Sequence, residues 1–199
     1  VTVAPDGSDA RVLTPPGRSY QFPAWSPVAE QVAAVGNDAE GGGVFTLYDR
    51  AGAEAKRLYG DLVARPIYLY WAPDGKKLGF LANTTGGLGL QVVGTGGGRV
   101  RGLVTGNPLY WQWSGDSSRL LVHSGISPAG QIAFYNAAGE AGKPLGEPGF
   151  FNAPGISASG RYLAYAESDG SATRVVLRGN RRDNAQVRRE VPYEGLAAF

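Results

Sequence analysis

Few side chains in these 199 residues are of a type that does chemistry, and each must be weighed beside what its neighbours supply. The only histidine is His123, at the end of the apolar run Leu120-Leu121-Val122. A hydroxyl nucleophile needs a base at hydrogen-bond distance and a strained elbow of the Gly-x-Ser-x-Gly kind, which the sequence lacks, so a structural histidine is expected. One histidine and no cysteine exclude a histidine-rich or cysteine-built metal site, a thiolate nucleophile and a disulfide framework. Gly94-Thr95-Gly96-Gly97-Gly98 resembles a phosphate-cradling loop in glycine content only. It lacks the Lys-Ser or Lys-Thr and the following helix, so it reads as a turn.

The remaining polar candidates have equally plain readings. Asn37-Asp38-Ala39-Glu40 and Ser168-Asp169-Gly170 fit no calcium-loop spacing and read as turns. Asn83-Thr84-Thr85 matches a glycosylation acceptor, a pattern short enough to arise by chance. Arg178, Arg181, Arg182, Arg188 and Arg189 cluster and are of the type that tracks phosphates. Asp183 and Glu190 dilute them and no aromatic is interleaved for base stacking, so a solvated strand edge is expected. No cofactor is expected, and a net charge of +2 gives no reason to expect nucleic acid.

Aromatic residues are different, because they recur: Tyr20 and Phe22, Tyr68 and Tyr70, Tyr110 and Trp111, Phe150 and Phe151, and Tyr193. Tyrosine and tryptophan offer large contact area at little rotamer entropy. Tyr20, Tyr68, Tyr70, Tyr110, Trp111, Phe150 and Tyr193 are therefore candidate contacts for a protein or peptide partner. The alternative is that half of these rings pack between structural repeats, and recurrence suits both readings.

What positions the rings is a repeat. Each aromatic group precedes an anchor, Trp25-Ser26-Pro27, Trp71-Ala72-Pro73-Asp74-Gly75, Trp113-Ser114-Gly115-Asp116 or Ile156-Ser157-Ala158-Ser159-Gly160. The anchors step by 46, 42 and 43 residues, and a further 43 reaches Phe199. Repeats of about 40 to 45 residues built of short strands and turns are the signature of β-propeller blades. No segment shows helical apolar periodicity. Glycine at 31 of 199 residues is more than double its usual ~7% and implies many turns. An apolar fraction of 43% suffices for a core, and no apolar run approaches the ~18 to 20 residues that span a bilayer.

The sequence therefore predicts an all-β fold, a β-propeller segment of four complete four-stranded blades with partial blades at both ends. Residues 1–17 form the outer half of a blade, with a Pro5-Asp6-Gly7 turn; blades follow at 18–63, 64–106, 107–148 and 149–191. Residues 192–199 give the innermost strand of a further blade. Second strands such as Leu78-Gly79-Phe80-Leu81-Ala82 are apolar throughout, as when both sheet faces are covered. Fourth strands carry Lys56-Arg57, Arg99 and Arg101, or Arg188-Arg189, the charge pattern of an edge guarded against pairing. Ala53 to Tyr59 has helical propensity, but the register assigns it to a fourth strand. The first residue is Val1 and methionine is absent, so residue 1 is not expected to be a translation start. An excerpt of a ring of six to eight blades is expected, with an arc completed by a second copy, a homodimer, as the runner-up.

The run Trp71-Ala72-Pro73-Asp74-Gly75-Lys76-Lys77-Leu78-Gly79-Phe80, with Tyr48-Asp49-Arg50-Ala51-Gly52 and Tyr135-Asn136-Ala137-Ala138-Gly139, resembles the WD-like propeller repeats of the TolB family. The resemblance covers nearly the whole chain. It departs where Val28-Ala29 replaces Asp-Gly and where Ile156 replaces the aromatic anchor. It implies a bacterial binding or scaffold module with an extracytoplasmic location, recognising its partner where the first strands begin, at the mouth of a channel. The alternative it implies is the substrate-gating propeller of a prolyl-oligopeptidase-type serine peptidase whose catalytic domain is absent from these residues. A sugar-processing propeller ranks last, since paired carboxylates are needed and the inner strands offer only Glu194.

Overall fold

A computed structural model describes residues 1, 3–14, 17–38, 41–48, 56–149, 153–181 and 188–192. All regular structure among them is β, in four antiparallel sheets of sequential strands. The first sheet is β1 (Tyr20–Trp25), β2 (Gln31–Asp38), β3 (Gly41–Tyr48) and β4 (Lys56–Asp61). The second is β5 (Pro66–Trp71), β6 (Lys77–Thr84), β7 (Gly87–Gly94) and β8 (Arg101–Gly106). The third has β9 (Leu109–Trp113), β10 (Arg119–Ser124) and β11 (Gln131–Asn136). The fourth is β12 (Gly155–Ile156), β13 (Tyr162–Ser168), β14 (Thr173–Gly179) and β15 (Arg188–Pro192). Near the N-terminus, Gly7 N donates to Ala4 O and Ala4 N to Ser8 O, closing the Pro5-Asp6-Gly7 turn.

The third sheet differs from the expected four strands. Its last segment is held by isolated bridges, Tyr135 to Ala141 and Ile132 to Gly146. Gly142 N still donates to Phe134 O and Leu145 N to Ile132 O, each at 2.7 Å. Pro144 has no N–H to give, so a continuous ladder cannot form there, and Pro148 bridges instead to Glu167 of β13. The helical propensity of 53–59 is overridden from Lys56 onward, where β4 pairs with β3; residues 53–55 lie outside the described residues.

The four repeats share one register. Trp25 pairs with Val32, Trp71 with Leu78, Trp113 with Leu120 and Ile156 with Leu163, seven residues apart each time. The hairpin that follows is closed by the same bond: Ser26 N to Gln31 O, Ala72 N to Lys77 O, Ser114 N to Arg119 O and Ser157 N to Tyr162 O, at 2.7 to 3.0 Å. Within it the chain passes through the left-handed region at Gly75 (φ +67°), Gly160 (φ +66°) and, without glycine's freedom, Ser117 (φ +58°). The acidic residue of the motif is a turn-former. Asp74 Oδ1 accepts Lys76 N and Asp116 Oδ1 accepts Ser118 N. In the first repeat, where Val28-Ala29 stands in place of Asp-Gly, Gln31 N instead donates to Ala29 O.

Residue contacts divide the chain into two units, Val1–Thr84 with Gln91–Val100, and Thr85–Leu90 with Arg101–Phe199. In the first, Ala33, Val35 and Val44 of one sheet pack against Leu69, Trp71, Leu78 and Phe80 of the next. Trp71 Nε1 donates to Ala24 O at 2.8 Å, pinning the second anchor to the end of the preceding first strand. The opposite face of that first sheet, Val32, Ala34 and Phe45, is covered by Leu13 and Tyr20. In the second unit, Leu121 and Ile132 pack against Ile156, Leu163 and Tyr165. There Gln112 plays the pinning part, its Oε1 accepting Ile156 N and its Nε2 donating to Ile156 O. In the second and fourth sheets exposure rises as expected from second strand to last, from β6 to β8 and from β13 to the fully exposed β15.

The turn chemistry makes one pH dependence predictable. The hydroxyl of Ser114, then the backbone and hydroxyl of Ser118, hold the Asp116 carboxyl down at about 2, from an ordinary 3.8. A folded-state value below the unfolded one adds stability above about pH 4 that is lost as pH falls toward 2. Asp116→Asn is expected to flatten the fall in melting temperature between those pH values; an unchanged slope contradicts the assignment.

Candidate functional site

The first strands β1, β5, β9 and β12 each lie at the edge of their sheet. Neither β1 (Tyr-Gln-Phe-Pro-Ala-Trp) nor β5 (Pro-Ile-Tyr-Leu-Tyr-Trp) carries a charge. Both are bulged. The register with β2 shifts between Gln21 and Ala24, and that with β6 between Pro66 and Tyr68. A bulge bends a strand and re-aims side chains, which is why bulges gather beside functional sites. β9 keeps an unbroken register with β10.

At the bulges the rings meet. Phe22 packs edge-on against Tyr68 with centroids 5.6 Å apart, and Tyr68 edge-on against Tyr70 at 4.9 Å. The Tyr68 and Tyr70 hydroxyls are hydrogen-bonded to each other. Burial, then the Tyr70 hydroxyl, push the Tyr68 phenol up to about 12. Phe22 is 48% and Tyr70 45% exposed, an unusual state for large rings in a row. Phe22 also holds φ at +51°, a region that few bulky residues enter.

The other candidates are placed differently. Tyr20 turns inward, edge-on to Phe45 at 5.4 Å. Trp111 is buried in the third sheet. Tyr110, half-buried, meets the ring of His123 at 5.9 Å. Phe150 and Tyr193 lie outside the described residues. The structure thus brings together Tyr68 and Tyr70 and adds Phe22, which sequence reasoning noticed but left off the list of contacts. The signal was available, because Phe22, Tyr68 and Tyr110 each stand three residues before their anchor tryptophan.

The polar candidates fall into structural roles. His123 is buried, with Nε2 2.9 Å from Gly125 O, to which it donates. Arg188 is bound by Glu167 at 2.5 Å and Glu190 at 2.6 Å, and Arg174 by Asp169 at 2.5 Å. Glu147, Glu167, Asp169 and Arg174 line a recess of about 350 Å³. Its carboxylates are engaged, Glu147 by Ser127, Glu167 by Arg188 and Asp169 by Ser171 and Arg174. No group of three or more potential metal ligands forms among the described residues, and no helix among them is long and apolar enough to cross a membrane.

The strain at Phe22 inverts an ordinary preference. Glycine in a strand is normally about 0.5–1 kcal/mol worse than alanine, but a left-handed non-glycine residue costs roughly 1–2 kcal/mol. Phe22→Gly is therefore expected to be more stable than Phe22→Ala by about 1 kcal/mol in urea unfolding, since only the former relieves the backbone. Alanine equal to or better than glycine would show that φ is not held positive.

No protein-family model matches this chain, and no curated protein matches it in sequence. Solved structures do. TolB from Acinetobacter baumannii is 19% identical with a TM-score of 0.63, covering 96% of this chain and 47% of its own. A structure from an analysis of two prolyl endopeptidases is 16% identical with a TM-score of 0.65, over 92% of this chain and 31% of its own. A chain of the nidogen/laminin complex is 14% identical with a TM-score of 0.59, over 92% and 70%. The chain thus spans about half the length of the TolB structure it matches. These identities speak to fold alone. With the shared register of its four sheets, they show a β-propeller fold.

Proposed function

We propose that this chain is a non-enzymatic binding module that recognises an extended protein or peptide segment along the bulged first strands of its first unit. The carrying observation is the row of half-exposed Phe22 and Tyr70 packed about the more buried Tyr68, on strands without charge. An extended partner lying along a strand gains specificity from the side chains presented beside it. Rigid rings already packed on one another lose little freedom on binding. The pairing of Arg174 and Arg188 with carboxylates supports a protein partner over nucleic acid. The buried, hydrogen-bonded His123 supports a role without catalysis. Likeness to TolB agrees with an extracytoplasmic location.

The second reading, a substrate-gating propeller of a serine peptidase, draws on the likeness to the prolyl endopeptidase structure. It needs a catalytic domain outside these residues. A random peptide library displayed on phage, panned on the wild type and on Tyr70→Ser, distinguishes them from a chain with no such site. Enrichment of aliphatic, aromatic or proline-bearing sequences that is lost in Tyr70→Ser is expected. No enrichment, or enrichment indifferent to Tyr70, would overturn the site.

A further inference from the structure

The row Phe22, Tyr68 and Tyr70 constrains the kind of segment that lies on it. An extended partner either adds a strand to a sheet or lies on the side chains without joining one, and the first needs a regular ladder. Pro23 in β1 and Pro66 in β5 have no N–H to give. Both strands also shift register beside the rings, between Gln21 and Ala24 and between Pro66 and Tyr68. A continuous ladder along this row is thereby excluded, so affinity must come from the rings.

The rings do not make a flat plate. Phe22 and Tyr68 cross at 80° and Tyr68 and Tyr70 at 84°, and rings set edge-on leave a trough beside a ridge. With centroid steps of 5.6 and 4.9 Å, Phe22 and Tyr70 stand no further apart than about one turn of a polyproline II helix, three residues at ~3.1 Å each. That helix has no internal hydrogen bonds and needs no ladder, and it is stiff before it docks, so little freedom is lost. Charge points the same way. β1 and β5 carry none, so a charged side chain laid on the rings would lose water and gain no partner. A basic residue stands at the end where each strand begins: Arg18 before β1 and Arg65 before β5, both exposed. These ends match in register, since Ser19 O accepts Asn37 N as Arg65 O accepts Asn83 N.

We infer that the occupant is a proline-rich segment in the polyproline II conformation, its prolines seated on Phe22, Tyr68 and Tyr70 and an acidic residue at one end turned toward Arg65. This rests on the reading of the row as a binding site and names the class of partner that the site takes. Pyrrolidine rings fill the troughs between crossed aromatic rings, the mode by which aromatic-lined grooves hold proline-rich segments. The acidic flank fixes which way the segment runs, because the arginines stand only where the strands begin.

Fluorescence anisotropy with labelled synthetic peptides tests this on the whole chain. The peptides are Asp-Glu followed by eight prolines, Lys-Lys followed by eight prolines, and Asp-Glu followed by alternating valine and threonine of the same length. Wild type is expected to bind the acidic proline peptide at least about tenfold more tightly than the valine-threonine peptide. Tyr70→Ser is expected to weaken it about tenfold, the scale of a lost aromatic contact, and Tyr70→Phe, which keeps the ring, to bind nearly as wild type does. That rescue separates a lost contact from a misfolded chain. Arg65→Glu is expected to reverse the preference between the acidic and the lysine-capped proline peptides. Binding of the valine-threonine peptide in preference to proline, with dependence on Tyr70, would overturn the polyproline occupant and leave the row a binding site. Proline binding indifferent to Tyr70, or binding of none of the peptides, would overturn the inference, and Tyr70-dependent phage enrichment then decides separately whether the row binds another class. A preference that Arg65→Glu leaves unchanged would overturn the orientation.

Discussion

The structure depends on how the end of one first strand is fixed to the sheet before it. Within each unit a single side chain makes that joint. The Trp71 indole reaches back to Ala24 O, and the Gln112 amide reaches forward to both main-chain groups of Ile156. The joints use different residues on opposite sides of the contact, yet each closes at the last or next-to-last position of a first strand. The buried Trp71 indole N–H finds Ala24 O and the buried Ile156 main chain finds the Gln112 amide, so neither buried group is left without a partner. Large apolar side chains, Phe80 and Leu78 in one unit and Leu163 and Tyr165 in the other, then fill the space that the joint defines.

This constraint explains which parts of the fold the sequence made legible. The period was readable because an anchor must recur at one register position, and the hairpin after it must close the same way each time. The Asp-Gly turn was readable because its acidic side chain and its left-handed residue act locally. The missing ladder of the third sheet follows from Pro144, a local residue to which the repeat period is blind. The bridges show that register and proline were both obeyed, position kept and pairing lost.

The site was less legible, for a physical reason. Whether a ring beside a strand points to solvent or into a sheet depends on local register, and one bulge changes it. Tyr20 and Phe22 are two residues apart and would share a face in a regular strand. The shift between Gln21 and Ala24 sends one ring to Phe45 and the other to Tyr68. No pattern in Tyr-Gln-Phe-Pro-Ala-Trp announces a phenylalanine at positive φ. Trp111 illustrates the converse, an aromatic at the expected place that the unbulged β9 keeps buried. The proposed binding role therefore rests on three residues of the wider aromatic set, selected by backbone irregularity rather than by residue type.

The anchors hold equivalent register positions, and the seat beneath Trp71 is filled by its indole. Hydrogen exchange of the indole N–H groups, followed by NMR in dilute solution, measures this directly. Protection of Trp71 comparable to the core strand amides, with rapid exchange at Trp25, is the predicted result. Exchange at Trp71 as fast as at Trp25 would contradict it, because the bond to Ala24 O and the packing around it would then not exist.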